Sequence, residues 1–178
     1  MLSNHSGWWD GLVGFEISRA AGLNSFYMME ERQLVDLPLF LKLGAFSIVR
    51  ENARQALESI NYAAGLLRES GDRSVWMFPQ GEIKPNDIRP LGFFSGALKV
   101  SRKAGDVPVV PLAMRYEFFG DWKPEILVKV GDPISASELE SVSDRAAAEN
   151  LDLCVSGLLD EIGRDIVAGQ MDRYKNIL

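Results

Sequence analysis

Histidine and cysteine are almost absent from this chain: its 178 residues contain one of each, His5 and Cys154. A single cysteine excludes an intrachain disulfide, and the pair of counts excludes a Cys/His zinc site. Cys154 falls in the amphipathic run 151–159, where it is expected as a small buried hydrophobe. No apolar stretch reaches the roughly 18 residues of a membrane span, and no signal peptide is visible. There is no basic stripe interleaved with aromatics, so nucleic acid is not an expected partner. Internal repeats, linkers and low-complexity tracts are also missing.

What is present is ordinary for a globular chain, 47% apolar and 25% charged. One domain of this length buries roughly 70 % of its unfolded surface. The net charge of −6 is unevenly placed. Residues 1–116 hold 13 Lys+Arg against 12 Asp+Glu, and residues 117–178 hold 6 against 13. An anionic ligand therefore suits the first two thirds of the chain, where Arg50, Lys84 and Arg89 lie.

Periodicity and punctuation predict helices over 10–21, 31–43 (weakened by Pro38), 53–71, 94–104 and 143–168, the last acidic and open to division in two. Asn52 with Gln55 three residues later has the spacing of a capping box. Strands are expected over 26–29, 45–49, 74–78, 109–116 and 126–130, with Pro108 and Pro111 making the fourth an edge or an irregular start. Helices alternating with strands indicate an α/β layer fold, a mainly parallel sheet flanked by helices. The apolar segment 37–46 suits buried core, an acyl-chain wall or a bilayer-facing surface, core being favoured.

Near neutral pH the default general base is His5, since no other side chain has an unperturbed pKa there. Asp10, five positions on, is suited to fix the imidazole tautomer; a cap or core role is the plainer alternative for such a pair. Trp8 and Trp9 between them suit an apolar channel wall, a bilayer interface or plain packing. Ser6 fits a helix cap or binding contact better than a nucleophile. The segment Phe78-Pro79-Gln80-Gly81-Glu82-Ile83-Lys84 follows a strand, where ligands bind in α/β sheets. Arg50 also stands at a strand exit, placed to fork onto a phosphate or to pair with Glu51 or Glu82. The last block is Val107-Pro108-Val109-Val110-Pro111-Leu112-Ala113.

In this order the blocks resemble the glycerolipid acyltransferase superfamily, which includes lysophosphatidate and glycerol-3-phosphate acyltransferases. The resemblance rests on Asn4-His5 with Asp10, Gly44-Ala45-Phe46-Ser47-Ile48-Val49-Arg50, Phe78-Pro79-Gln80-Gly81 and Val109-Val110-Pro111, and covers residues 3–134. It implies acyl transfer from a thioester, acyl-CoA or acyl carrier protein, to a lipid hydroxyl, with neither metal nor cofactor. His5 would deprotonate the acceptor and Asp10 would orient it. Arg50, Phe78, Pro79, Gln80, Gly81, Glu82, Lys84 and Arg89 would bind substrate, and 107–113 is associated with the donor. It also implies a peripheral position on the cytoplasmic side of a membrane, with residues 1–178 as one acyltransferase domain whose segment 135–178 is an acidic helical addition.

Two features differ from the family's usual pattern. Gln80 stands where Glu is usual, and Glu82-Ile83 where Thr and a basic residue are usual. On charge grounds these weaken an anion site and suggest a less charged acceptor, such as a glycolipid or a hydroxylated isoprenoid. Only four residues precede His5, too few for a normal strand, which suggests a fragment or late start lacking an anchor. An ester or thioester hydrolase, and a non-catalytic lipid-binding domain of the same fold, are the competing readings.

Overall fold

The computed structural model describes residues 1–105 and 107–177. Its elements run β1 (Leu2–Ser3), α1 (Asp10–Ala20), β2 (Asn24–Glu30), α2 (Glu31–Asp36), α3 (Leu39–Lys42), β3 (Ala45–Ile48), α4 (Ala53–Glu69) and β4 (Arg73–Trp76). There follow α5 (Gly96–Ala104), β5 (Pro111–Glu117), β6 (Glu125–Val130), α6 (Ala136–Glu140) and α7 (Asp144–Val167). A short 3-10 turn, Met171–Arg173, comes last.

The strands form two three-stranded sheets, ordered β3-β2-β4 and β1-β5-β6. Hydrogen bonds from Ser3 N–H to the Met77 carbonyl (3.1 Å) and from Met77 N–H to the Met1 carbonyl (3.1 Å) join them at β4 and β1. Among the described residues the pairings are parallel except β5 with β6 and the isolated bridge between Val109 and Ile134. This is the expected mainly parallel α/β sheet. The residues before His5 do form a strand: Leu2 lies opposite Pro111 and Ser3 opposite Leu112. Two residues suffice because β1 bonds neighbours on both sides.

Alternate residues of each strand feed opposite faces, as pleating requires. Val75, Met77 and Ala113 enter one core with α4, α5 and α7, while Trp76, Leu112, Met114 and Tyr27 enter the other with α1. Helix α1 lies close to the sheet because Gly14 has no side chain. A Cβ there would sit 3.1 Å from the Trp76 ring. The buried Trp76 indole N–H donates to Ser18 Oγ (2.8 Å), which donates to the Gly14 carbonyl (2.7 Å). That chain gives the buried indole N–H and the Ser18 hydroxyl their partners.

Several sequence expectations are corrected here. Cys154 is exposed, on the outer face of α7. The acidic terminal helix is one unbroken element, and the break falls before it, at the separate α6. Asn52 Oδ1 does accept from the N–H groups of Arg54 (3.1 Å) and Gln55 (3.2 Å), but the reciprocal capping box forms at Ser135 and Glu138. Segment 37–46 is not core throughout: Phe40 and Ala45 are buried, whereas Leu37, Leu39 and Leu41 are exposed. Pro38 divides it, and a one-turn helix has only one face to give to the sheet.

Candidate active site

The carboxyl ends of the parallel strands collect the residues on which chemistry would depend, as expected for an open α/β sheet. His5 follows β1, Glu30 ends β2, Arg50 follows β3 and Phe78 follows β4. Tyr116 lies at the end of β5.

Asp10 opens α1, and the loop before it winds round its carboxylate. Oδ2 accepts from His5 Nδ1 (2.7 Å), Ser6 N–H (2.8 Å) and Gly7 N–H (3.0 Å). Oδ1 accepts from the Tyr116 hydroxyl (2.6 Å). The Asp10 side chain is 0% exposed and that of His5 16%. A carboxylate only accepts, so Nδ1 carries the proton and the neutral ring keeps its lone pair on Nε2. Burial, and secondarily the Asp10 charge, push the Tyr116 phenol well above the usual tyrosine range. Its proton therefore stays on the bond to Asp10.

The histidine backbone is fixed from both sides. Its N–H donates to Gln80 Oε1 (2.5 Å), and its carbonyl accepts from Lys84 N–H (2.9 Å). Phe78 stacks on the imidazole with centroids 4.9 Å apart. Upstream, the buried Asn4 amide pairs with the Met114 backbone, accepting from its N–H (2.8 Å) and donating to its carbonyl (2.9 Å). The loop is thus stapled to β5, the strand that carries Tyr116.

His5 faces a cavity of about 220 Å³ with mostly apolar walls. Tyr27, Met28, Met29, Phe40, Phe78, Pro79 and Gly81 line it. Trp8, Leu37, Ile83 and Phe94, all well exposed, also line it. Trp8 lies against Trp9 with tilted rings 4.0 Å apart, and both are about half exposed.

Arg50 lines the same cavity, but its partner is Glu30, not Glu51 or Glu82. Its Nε donates to Glu30, its second amino group donates to the Gly81 carbonyl (3.1 Å), and the guanidinium lies 5.2 Å from the Phe94 ring centre. Gly81 has φ +67°, and a Cβ at this position would run into the guanidinium. Glycine is needed there for backbone and space alike.

The structure therefore brings together His5, Asp10, Arg50, Phe78, Pro79 and Gly81. Gln80, 2% exposed, is turned inward onto the His5 backbone. Glu82, Lys84 and Arg89 are not among the described residues lining the cavity. Lys84 Nζ donates to the Leu91 carbonyl (3.0 Å) and pairs with Glu82 (3.3 Å); Arg89 pairs with Asp160 (2.6 Å). Residues 107–110 line a second cavity of about 250 Å³, which shares Met77 and Ala97 with the first. Tyr116 and Glu30 were not picked out from sequence. The strand-end rule was the signal available, since each lies at the carboxyl end of a strand.

The model of the acyltransferase family matches residues 1–115. A curated relative, the 1-acyl-sn-glycerol-3-phosphate acyltransferase of Streptococcus pneumoniae (strain ATCC BAA-255 / R6), is 25% identical over 155 residues, 81% of this chain. The chain spans about half of that relative's length, 53%. No solved structure matches it significantly. With the family match covering well over half its length, and every block of the resemblance inside or beside the match, the chain belongs to the acyltransferase family, within the glycerolipid acyltransferase superfamily.

Proposed function

We propose that this chain is an O-acyltransferase, moving a fatty acyl group from a thioester donor, acyl-CoA or acyl carrier protein, to a lipid hydroxyl. One observation carries the reading: His5 holds its Nδ1–H on buried Asp10 at 2.7 Å while the ring borders an apolar cavity. Nε2 takes the proton of the acceptor hydroxyl as its oxygen attacks the thioester carbonyl. Collapse of the tetrahedral intermediate breaks the C–S bond, and the imidazolium returns the proton to the departing thiolate. The ring ends as it began, so no covalent acyl-enzyme is needed. Asp10 supports this cycle by stabilising the imidazolium. General-base action of this kind is worth about 10²–10⁴-fold. The remainder comes from aligning acceptor and thioester.

The walls suit an acyl chain, and the mouth suits a lipid surface. Exposed Trp8, Leu37 and Phe94 line the cavity, and exposed Trp9, Leu39 and Leu41 adjoin lining residues in the chain. No helix among the described residues is long and apolar enough to cross a membrane, so attachment through this patch would be peripheral. The test supplies labelled acyl-CoA with and without a lipid extract, to the wild type and to His5→Ala. An acylated lipid formed by the wild type alone, at a rate at least about 10²-fold above the variant, is the expected result. Free fatty acid released equally without acceptor would make the protein a hydrolase. Lipid binding without turnover would make it a binding domain.

A further inference from the structure

Glu30 and Arg50 are the only carboxylate and the only Lys or Arg among the described residues lining the cavity. Their charges cancel. Glu30 is 13% exposed on its side chain and ends β2, held by the sheet next to β3, whose exit carries Arg50. An arginine that grips a phosphate monoester presents two free parallel N–H groups. In Arg50, Nε is taken by Glu30 and one amino group by the Gly81 carbonyl, while Phe94 covers the guanidinium. Arg32 does not relieve the carboxylate: it is 81% exposed, 4.0 Å from Glu30, and 3.1 Å from Glu51. Three guanidinium N–H groups remain, and a phosphate drawn to them would lie beside the Glu30 carboxylate.

We propose that Glu30 sets acceptor selectivity: by occupying Arg50 it makes this end of the cavity neutral and selects an uncharged lipid alcohol over a phosphate monoester. The pair still offers hydrogen bonds, a carboxylate oxygen to accept from a hydroxyl and a guanidinium N–H to donate to one. This inference rests on the acyltransferase reading and names its acceptor class. It also relocates the reason for low acceptor charge. Gln80 and Glu82, the residues that suggested it from sequence, do not line the cavity; Glu30 does.

Two acceptors differing only in the phosphate, a 1-monoacylglycerol and the matching 1-acylglycerol-3-phosphate, are compared with labelled acyl-CoA in wild type and Glu30→Gln. The amide keeps a hydrogen bond to Arg50 but removes the charge. The wild type is expected to favour the monoacylglycerol by at least about tenfold in kcat/KM. Glu30→Gln is expected to shift the ratio toward the phosphate by about 10–100-fold, mainly through KM, as removal of one nearby like charge implies. The gain disappears in Glu30→Gln/Arg50→Gln. A wild-type preference for the phosphate, or an unchanged ratio in a folded Glu30→Gln, overturns the proposal. Should that variant not fold, the wild-type preference alone decides. If no acceptor is acylated by either protein, the catalytic reading fails instead. Quenching of tryptophan fluorescence, to which Trp8 at the cavity contributes, during titration of each protein with each unreacted lipid then still decides whether Glu30 excludes the phosphate.

Discussion

Replacing Asp10 by Asn tests the proposed His5–Asp10 catalytic pair with little damage to the fold. Three donors converge on Oδ2, those of His5, Ser6 and Gly7. The two backbone N–H groups dictate which way the new amide turns, because an NH2 facing them would leave three donors opposed. The amide oxygen therefore replaces Oδ2 and keeps the Nδ1–H tautomer of His5. The NH2 then faces Tyr116, whose hydroxyl turns to accept. What is lost is the charge opposite the imidazolium. With about 4 Å between charge centres and an effective dielectric near 20, that charge is worth about 4 kcal/mol. Such a loss slows the step roughly 10³-fold. Screening does little here, since Asp10 is wholly buried. The assay is kcat and KM for acyl transfer, alongside a thermal melt. The expected outcome is a kcat lower by about 10³ with KM little changed and the Tm kept. A folded Asp10→Asn enzyme within tenfold of the wild-type kcat would refute the role given to this carboxylate.

Two other outcomes follow from the same loop. Gln80→Leu leaves the part-buried His5 N–H without its acceptor, at a cost of about 1–3 kcal/mol, roughly 3–9 °C in Tm by differential scanning calorimetry. Gln80→Glu keeps an acceptor there and is expected to preserve kcat, which would separate the anchoring role from any contact with substrate. Tyr116→Phe removes a hydrogen bond to a buried charge, a loss of about 1.5–3 kcal/mol in urea melts at pH 8. The sign of its pH dependence follows from the raised phenol: the folded chain keeps this proton after the unfolded chain has lost it. The stability tied to the phenol is full below about pH 10 and falls as pH rises beyond. The alkaline decline in wild-type stability should therefore become shallower in Tyr116→Phe.

Much of the layout was legible before any coordinates. Period-two and period-3.6 patterns are local properties, so β2, β3, β4, β5, β6 and the long helices emerged within a few residues of their ends. The errors fell where local pattern and tertiary environment part. A two-residue strand carries no periodicity, so β1 shows only through its neighbours. Cys154 reads as core in an amphipathic run but lies on the face of α7 that no element covers. Leu39 and Leu41 look like core by composition, yet a single helical turn after Pro38 exposes both.

The chain's composition alone singled out the candidate base, because a single imidazole leaves no rival, and the spacing of Asp10 pointed to the carboxylate that contacts it. Motif order named the family. Tertiary structure decided the surroundings: Tyr116 reaches Asp10 across 106 residues, Gln80 reaches His5 across 75, and Glu30 takes Arg50 across 20. Each contact exists because parallel strands bring their carboxyl ends to one edge of the sheet. That alignment depends on crossover connections and register, which couple distant segments and leave no mark in the residues next to any one of them.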